Sequence, residues 1–354
     1  MLGGLAAVKD AEHVVRLAWA DYGDPRSVVE IVEVSAHVST NHVYRLHLDD
    51  GSYVVGKVSS YGSYFLFAED HDRLFKLVQY LSNTRWSGFL ASVLPRDGRA
   101  YTWYDGTCWA AFYNDVERGT QLPRIITTND IVFLAREIAS FHKACADAAS
   151  HLPPTSNSVK GDAIHLLEQL SSEFAPRNFD LRDSDIAYLH TSTHNFLKHL
   201  EEIHFDEWKK IPILVDWNLG NFSVTDGKYS DKQLFTRWDY DWFRIDTRML
   251  DFYFLSRAAS HTGDKTHFSY SPHTLTEPRF IAFLQAYHSV YPLSRAEIEF
   301  LPRAFQFFIL NYVIREGAKF FRADLSTRFR KDAVRLYLPM LDSLDISPLL
   351  KVIE

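Results

Sequence analysis

The sequence predicts an α+β fold with a small β-rich N-terminal part and a larger, mostly helical C-terminal part. Between residues 28 and 58, apolar and polar residues alternate in short runs, which is the periodicity of half-buried strands. From about residue 128, apolar residues recur at helical spacing instead, beginning with residues 131–145. Strands followed by helices are the element order of an α+β protein. We expect the two parts to cover residues 1–113 and 114–354.

The elements of the N-terminal part follow from local patterns. Residues 5–22 have the periodicity of an amphipathic helix, and Phe67, Leu74 and Leu81 mark a second helix. Asp49-Asp50-Gly51-Ser52 is a strong signal for a hairpin turn. The segments with strand character are 28–34, 43–48, 53–58, 101–104 and 110–113.

Composition and charge exclude several classes of protein. The formal charge is −7, from 38 Lys and Arg against 45 Asp and Glu, and there is no long basic run. This disfavours a nucleic acid as partner, because neutralising phosphates needs clustered Lys and Arg. Two cysteines make neither a disulfide framework nor a metal site. The most apolar late run, 305–314, is far shorter than the ~20 residues that span a bilayer. We therefore expect a cytoplasmic protein that does not bind a membrane.

Two apolar runs of the C-terminal part contain acidic and amide residues, which are costly to bury unless they are paired or bind a metal. These runs are 213–224 and 234–242. In the first, Asp216 and Asn221 are five residues apart with Gly220 between them, enough for a tight loop to turn both side chains toward one point. Such a carboxylate can accept a proton from an attacking hydroxyl. The amide oxygen of Asn221 and the carboxylate of Asp239, at the end of the next strand, can ligate Mg²⁺. Phosphoryl transfer needs these parts, because its barrier falls through alignment and charge neutralisation.

The two segments resemble the catalytic and metal-binding loops of the aminoglycoside phosphotransferase, choline kinase and homoserine kinase superfamily. That family's pattern is His-x-Asp-x-x-x-x-Asn, then an apolar strand, then Ile-Asp-Phe/Trp-Asp/Glu, with a further Asp twelve residues later. Asp216 and Asn221 match the first motif, Trp238-Asp239-Tyr240-Asp241 matches the second, and Asp251 lies twelve residues after Asp239. Leu214 stands where the family has its His, which mainly supports the loop.

The resemblance implies a two-lobed protein-kinase-like fold and an ATP- and Mg²⁺-dependent small-molecule kinase. Asp216 would be the catalytic base or the group that orients the acceptor hydroxyl. Asn221 and Asp239 would hold Mg²⁺, and Asp251 would brace the catalytic loop. Only eleven residues separate the two loop acids 239 and 251, which is too short for the activation segment of a protein kinase.

The same resemblance extends to the N-terminal part. Lys57 matches the lysine that contacts the nucleotide phosphates, and the next helix should supply its carboxylate partner. Glu69 is the chemically conventional partner, whereas Asp70 lies better on the apolar stripe of that helix, so both remain candidates. An ordinary solvated position is the alternative for each of them.

Further nucleotide contacts are expected from two short segments. Ser39 and Asn41 belong to a small polar stretch that resembles the family's phosphate-covering loop. Phe112 and Asn114 fall where the hinge should offer backbone groups to adenine. His142, in a segment similar to the Leu-Ala-x-Leu-His helix of this family, is interpreted as a structural residue.

These residues predict a phosphotransferase acting on a hydroxyl of a small polar metabolite, amino alcohol or aminoglycoside-like compound. Leu214 motivates an alternative from another class, a kinase-like protein that binds nucleotide without turnover. Asp216 and Asn221 could also form an Asx turn that caps a helix. The cluster of His190, His194 and His199 is not expected to bind zinc, because it includes only one helical i,i+4 pair and no cysteine is near. The acceptor's identity and the oligomeric state do not follow from the sequence.

Overall fold

The computed structural model describes residues 10–35, 41–60, 62–226, 232–262 and 270–354, without the side chain of residue 320. The chain divides into two compact units, residues 1–117 with 318–323, and residues 118–317 with 324–354. We call them the N-terminal and C-terminal units. Within the described residues, no helix combines the length and apolarity needed to cross a membrane.

The N-terminal unit is built on an antiparallel sheet of five strands in the order β1-β2-β3-β7-β6. Turn and strand patterns predict it closely. The hairpin that pairs Val43 with Lys57 is closed at Leu48, whose carbonyl accepts from the Gly51 N–H and whose N–H donates to the Ser52 carbonyl. The helices and strands of this unit are α1 (Ala11–Tyr22), β1 (Val28–Glu33), β2 (His42–Leu48), β3 (Tyr53–Ser59), α2 (Tyr64–Leu81), β4 (Pro95–Arg96), β5 (Arg99–Ala100), β6 (Thr102–Tyr104) and β7 (Trp109–Asn114).

The core of the N-terminal unit lies between α1 and one face of this sheet. Trp19 of α1 packs edge-on against Phe112 of β7 with ring centroids 5.1 Å apart, and Leu46 and Leu48 are fully buried beneath them. Tyr101 donates from its hydroxyl to the carbonyl of Ala18, 2.8 Å away, and ties the sheet to the helix. The position of β7 in the sheet is therefore fixed by apolar packing.

The C-terminal unit is mostly helical, with two small antiparallel sheets, β9 with β10 and β8 with β11. Its elements before the third strand are α3 (Thr128–Ala148), α4 (Val159–Leu170), α5 (Ala175–Phe179), α6 (Asp183–Glu202), β8 (Ile211–Ile213) and β9 (Phe222–Val224). Those that follow are β10 (Leu234–Arg237), β11 (Arg244–Asp246), α7 (Phe252–Ala259), α8 (Pro278–His288), α9 (Arg295–Phe308), α11 (Ala323–Asp332), α12 (Leu338–Asp342) and α13 (Ser347–Leu350). The short helix α10 (Gly317–Phe320) belongs, except for its first residue, to the N-terminal unit.

Helix α3 is the central scaffold of this unit. It begins with a capping box in which the Thr127 hydroxyl accepts from the N–H of Asp130, and the Asp130 carboxylate accepts from the N–H of Thr127. Its buried face, which includes Ile138 and His142, lies against β8 and α8. The buried stripe repeats at helical spacing, and the predicted helix over 131–145 is confirmed and extended by a few residues at each end.

Candidate active site

Asp216 and Asn221 lie in a tight loop between β8 and β9. The loop leaves the strand through Leu214 and Val215, both buried, and Val215 has a φ of 59° in the left-handed region. A β-branched residue rarely adopts this conformation, which persists only where the surrounding structure holds it. Successive hydrogen bonds tighten the turn, from the Asp216 N–H to the Leu214 carbonyl (2.7 Å) and from the Asn221 N–H to the Asn218 carbonyl (2.9 Å). The loop thereby places two polar side chains, both half-buried, five residues apart at one end of a small sheet.

The side chain of Asp216 does form an Asx-type turn, since its Oδ1 accepts from the N–H of Asn218 at 3.3 Å. However, the residues that follow lead into strand β9 and not into a helix. The interpretation of this pair as a helix cap is therefore wrong. The Asx turn holds the carboxylate at the loop and caps nothing.

Asp251 braces this loop from beneath. Its carboxylate is fully buried and accepts from the Val215 N–H at 2.7 Å, from Trp217 Nε1 at 2.6 Å and from His142 Nε2 at 2.8 Å. Val215 and Trp217 flank Asp216, so one carboxylate binds the main chain before the candidate catalytic residue and the indole side chain after it. The predicted bracing role of Asp251 agrees with these bonds.

His142 is part of the same network, as its structural interpretation predicts. It is fully buried on α3, and its Nδ1 lies 2.7 Å from the hydroxyl of Tyr287. Because a carboxylate can only accept, Nε2 donates to Asp251. A neutral ring then leaves Nδ1 to accept from Tyr287, whose phenol pKa is raised by burial. Helices α3 and α8 thus both support the loop.

Asn221 and Asp239 come together through the pairing of β9 with β10. Phe222 lies opposite Arg237, and beyond that pair the Trp238 N–H donates to the Asn221 carbonyl at 3.0 Å. Asp239 follows immediately, exposed and with a φ of 67°. Asp216 thus follows a left-handed residue, Val215, and Asp239 is itself left-handed. Backbone strain of this kind is typical of functional sites.

Arg237 is a site residue that sequence reasoning missed. Its guanidinium is fully buried and donates to the carbonyl of Asp216 at 2.8 Å and to that of Asn221 at 3.0 Å. Burial lowers the pKa of Arg237, while the nearby carboxylates, Asp216 first and Asp239 among the others, act to raise it. The available signal was a charged residue inside an apolar strand, where burial without a partner is costly.

The amide oxygen of Asn221 and the carboxylate of Asp239 are the candidate ligands for Mg²⁺. Mg²⁺ is usually bound by one or two carboxylates together with substrate phosphates and water, and its small radius favours hard oxygen ligands. No group of three His, Cys, Asp or Glu suited to a metal ion occurs among the residues that the structure describes. The candidate set contains one carboxylate and one amide, so a nucleotide's phosphates and water would complete the coordination.

In the N-terminal unit, Lys57 is buried in the middle of β3, paired with Val43 on one side and Ala111 on the other. Burial lowers the pKa of His71 on α2 to about 3, and the charge of Lys57 lies close enough to contribute to this lowering. His71 donates from Nδ1 to the Phe67 carbonyl (2.8 Å), because that carbonyl can only accept. It therefore accepts at Nε2 from the Tyr113 hydroxyl (2.5 Å). A neutral histidine thus links α2 to strand β7 beside Lys57, and sequence reasoning did not single it out.

The two acids proposed as partners of Lys57 both contact Arg73, which lies one turn further along α2 and is buried. Arg73 donates to Asp70 at 3.0 Å and to Glu69 at 3.1 Å. The pairing of Lys57 with either acid stays a prediction.

The remaining nucleotide-contact candidates occupy different environments. Ser39 lies outside the described residues, whereas Asn41 is buried just before β2. The side chain of Phe112 belongs to the apolar core and its carbonyl accepts from the Leu94 N–H, while Asn114 is exposed at the end of β7. A backbone contribution of this segment to adenine stays a prediction.

Comparisons with known proteins agree with this architecture. No protein-family model and no curated protein sequence matches the chain. Solved structures do match it over nearly its whole length. The amicoumacin kinase hAmiN, solved with AMP-PNP, Ca²⁺ and Ami, has a TM-score of 0.60 at 13% identity, covering 96% of each chain. The chain has a two-lobed, kinase-like fold.

Two further structures share this fold. A microcompartment-associated aminopropanol kinase has a TM-score of 0.58 at 18% identity and covers 96% of this chain and 99% of its own. The aminoglycoside 2″-phosphotransferase IIIa, solved with GDP and kanamycin, has a TM-score of 0.57 at 13% identity and covers 94% and 98%. The predicted fold class, a β-rich N-terminal lobe and a larger helical C-terminal lobe, is confirmed.

Proposed function

We propose that the chain is an ATP- and Mg²⁺-dependent phosphotransferase that phosphorylates a hydroxyl of a small polar molecule. The observation that carries the proposal is the loop from Asp216 to Asn221, which Asp251 fixes and which β-pairing joins to the segment that ends in Asp239. The buried side chains of Asp251 and Arg237 bind the loop that carries Asp216 and Asn221, and the strand that leads to Asp239 pairs with the strand that follows this loop. The structural neighbours that share the fold are kinases and phosphotransferases of small molecules, which supports the same class of chemistry.

In the proposed mechanism, Asp216 accepts a hydrogen bond from the acceptor hydroxyl and thereby orients the oxygen of that hydroxyl toward the terminal phosphorus of the nucleotide. A bond forms from that oxygen to phosphorus, the bond from phosphorus to the leaving ADP oxygen breaks, and the hydroxyl proton passes to the Asp216 carboxylate. Asn221 and Asp239 would hold Mg²⁺, which neutralises charge on the phosphates when it is bound. Lys57, in the N-terminal unit, would contact those phosphates as a further cation.

The acceptor is proposed to be a metabolite, an amino alcohol or an aminoglycoside-like compound. A thermal-shift screen of such compounds with Mg²⁺ and AMP-PNP identifies candidates, because a ligand that binds only the folded state stabilises it according to its affinity. Candidates are then tested for ADP release from Mg·ATP and for a phosphorylated product by mass spectrometry.

The decisive comparison is between the wild type and Asp216→Asn. We expect the substitution to lower kcat by about 10²- to 10⁴-fold, as is typical for removal of a general base, while the affinity for AMP-PNP stays within a few-fold. Asp183→Asn is a matched control, since it changes an exposed carboxylate on α6 of the same unit and should leave turnover unchanged. Equal residual turnover in wild type and Asp216→Asn would instead identify a nucleotide-binding protein without catalysis, the alternative that Leu214 suggests.

A further inference from the structure

Arg237 is a buried cation of the C-terminal unit that binds the loop carrying Asp216 and Asn221. It is the last residue of β10, two residues before Asp239, and its side chain turns inward and not toward solvent. Its partners are the main-chain carbonyls of the two residues whose side chains carry the proposed chemistry, Asp216 and Asn221. One side chain therefore contacts both ends of this loop and belongs to the strand that leads to Asp239.

The form of this contact suits a positioning role. Nη1 donates to one carbonyl and Nη2 to the other, so the planar guanidinium fixes the separation and direction of the two peptide groups. Within the described part of the chain, both hydrogen bonds go to carbonyl oxygens, and Nε has no hydrogen-bond partner. Burying a guanidinium with an unsatisfied nitrogen costs free energy, and an apolar side chain at this position would avoid that cost. The presence of arginine therefore indicates that its two bonds to carbonyls are needed.

The loop also receives no polar support from the residue two positions before Asp216. Leu214 is buried and apolar, and only its main chain is engaged there, as the acceptor of the Asp216 N–H. Asp251 supplies acceptors for the N–H groups of the loop region, but it cannot satisfy carbonyls. On that side the Asn221 carbonyl also accepts from the Trp238 N–H at 3.0 Å and the Asp216 carbonyl from Asn221 Nδ2 at 3.4 Å, and Arg237 adds a charged donor that binds both carbonyls.

We infer that Arg237 is a positioning residue that holds the Asp216 and Asn221 ends of the loop in register with Asp239. This inference rests on the proposed function. Arg237 does not touch substrate or metal in this scheme; it acts through the two carbonyls that it binds.

The test replaces Arg237 by lysine and by methionine. Lysine keeps a positive charge but has one terminal nitrogen in place of the rigid planar fork that places a separate nitrogen on each carbonyl, and methionine removes both charge and donors. We expect kcat for ADP release from Mg·ATP to fall on the order of 100-fold in Arg237→Met, since a displacement of about 1 Å at a reacting group has that effect. Arg237→Lys should retain more activity than Arg237→Met, and KM for Mg·ATP should change much less than kcat in both.

Arg330 provides the matched control. It is also a buried arginine of the C-terminal unit, and it donates to two carbonyls, those of Ile314 and Phe179, without contacting the loop. Arg330→Met should lose stability in the same way and keep the wild-type kcat at temperatures where the variant is folded. If both arginine variants lose kcat only in proportion to the unfolded fraction, Arg237 is a structural residue and the inference is wrong.

Hydrogen exchange separates this inference from the proposed function. Peptides covering residues 214–221 should exchange faster in Arg237→Lys than in wild type, while peptides of α3 stay unchanged. Faster loop exchange together with a wild type that never turns over Mg·ATP would refute the proposed function and keep the positioning role. Unchanged loop exchange and unchanged kcat would overturn the positioning role, whatever the wild type catalyses. Where Arg237→Met does not fold, Arg237→Lys carries both measurements.

Discussion

Replacing Asp251 by asparagine tests how far the active-site loop depends on one buried carboxylate. The carboxylate accepts three hydrogen bonds of 2.6–2.8 Å, from Val215, Trp217 and His142. Asparagine keeps one acceptor oxygen, but its amide group is a donor and faces at least one of these N–H groups. In either orientation of the amide, one donor or more loses its partner inside the protein.

The magnitude follows from the number and type of bonds. Hydrogen bonds to a charged group contribute about 1.5–3 kcal/mol each and neutral ones about 0.5–1.5, so two weakened bonds account for about 2 kcal/mol. The Val215 N–H, left without an acceptor, adds about 1–3 kcal/mol. We therefore expect Asp251→Asn to lower the free energy of unfolding by about 3–5 kcal/mol, a large share of the 5–15 kcal/mol typical of a folded domain.

The assay is urea unfolding followed by tryptophan fluorescence, combined with a double-mutant cycle. Trp217→Phe removes the Nε1–H donor together with part of the buried ring, and the cycle cancels the packing loss that the single substitution carries. Its coupling with Asp251→Asn should lie between about 0.5 and 3 kcal/mol, as expected for residues in contact. Asp183→Asn, on the surface of the same unit, should stay within about 0.5 kcal/mol of wild type. A free energy of unfolding for Asp251→Asn equal to that of wild type, or strictly additive effects in the cycle, would refute the network as the support of the loop.

Three further perturbations have defined outcomes. A Cβ on Gly119 would meet the Val224 carbonyl at 2.5 Å, whereas one on Gly220 meets nothing within 4 Å. Gly119→Ala should therefore lower the free energy of unfolding by about 1–3 kcal/mol and Gly220→Ala by less than about 0.5 kcal/mol, as measured by calorimetry. The His71 pKa is about 3 folded against 6.5 unfolded, so its contribution to stability is complete above pH 6.5 and is lost by about 1.4 kcal/mol per pH unit as the pH falls below that value. Unfolding free energies between pH 7 and 4.5 should accordingly fall less steeply in His71→Gln than in wild type, and parallel curves contradict the assignment. Asp239→Asn should raise the Mg²⁺ concentration needed for half-maximal ADP release by tenfold or more, since a carboxylate ligand is lost, and an unchanged requirement removes Asp239 from the metal set.

The parts of the fold that the sequence predicted well are those that local patterns determine. The hairpin of β2 and β3 was located to within a residue, because strand alternation and the Asp49–Ser52 turn act over a few neighbouring positions. The acids of α2 show the opposite situation. Adjacent positions on a helix point about 100° apart, and Arg73, at i+3 and i+4, engages both Glu69 and Asp70. A sequence pattern cannot decide between partners that compete in three dimensions.

The conformation of the loop was the least predictable part of the site. Gly220 looked like the residue that allows the tight turn, yet its φ lies outside the left-handed region and the space around its Cα is open. The left-handed positions are Asp239, a residue type that adopts this conformation more often than most, and Val215, a β-branched residue that rarely does. Bonds from Asp251, 36 residues further along the chain, hold Val215 in place, and no local pattern records such a contact.

Two buried side chains of opposite charge, Asp251 and Arg237, support the loop through different groups. Asp251 can only accept, and it satisfies N–H groups on both sides of Asp216; Arg237 can only donate, and it satisfies the carbonyls of Asp216 and Asn221. Together they bind both ends of the loop, in addition to the bonds that the Asn221 carbonyl accepts from the Trp238 N–H and the Asp216 carbonyl accepts from Asn221 Nδ2. A residue such as Val215 can stay left-handed only where the surrounding structure holds it in this way. Support of this kind does not require a histidine at position 214. It follows that restoring one by Leu214→His should not raise kcat, because the loop is already held from both sides, and an increase of tenfold or more in ADP release would show that the existing support is incomplete.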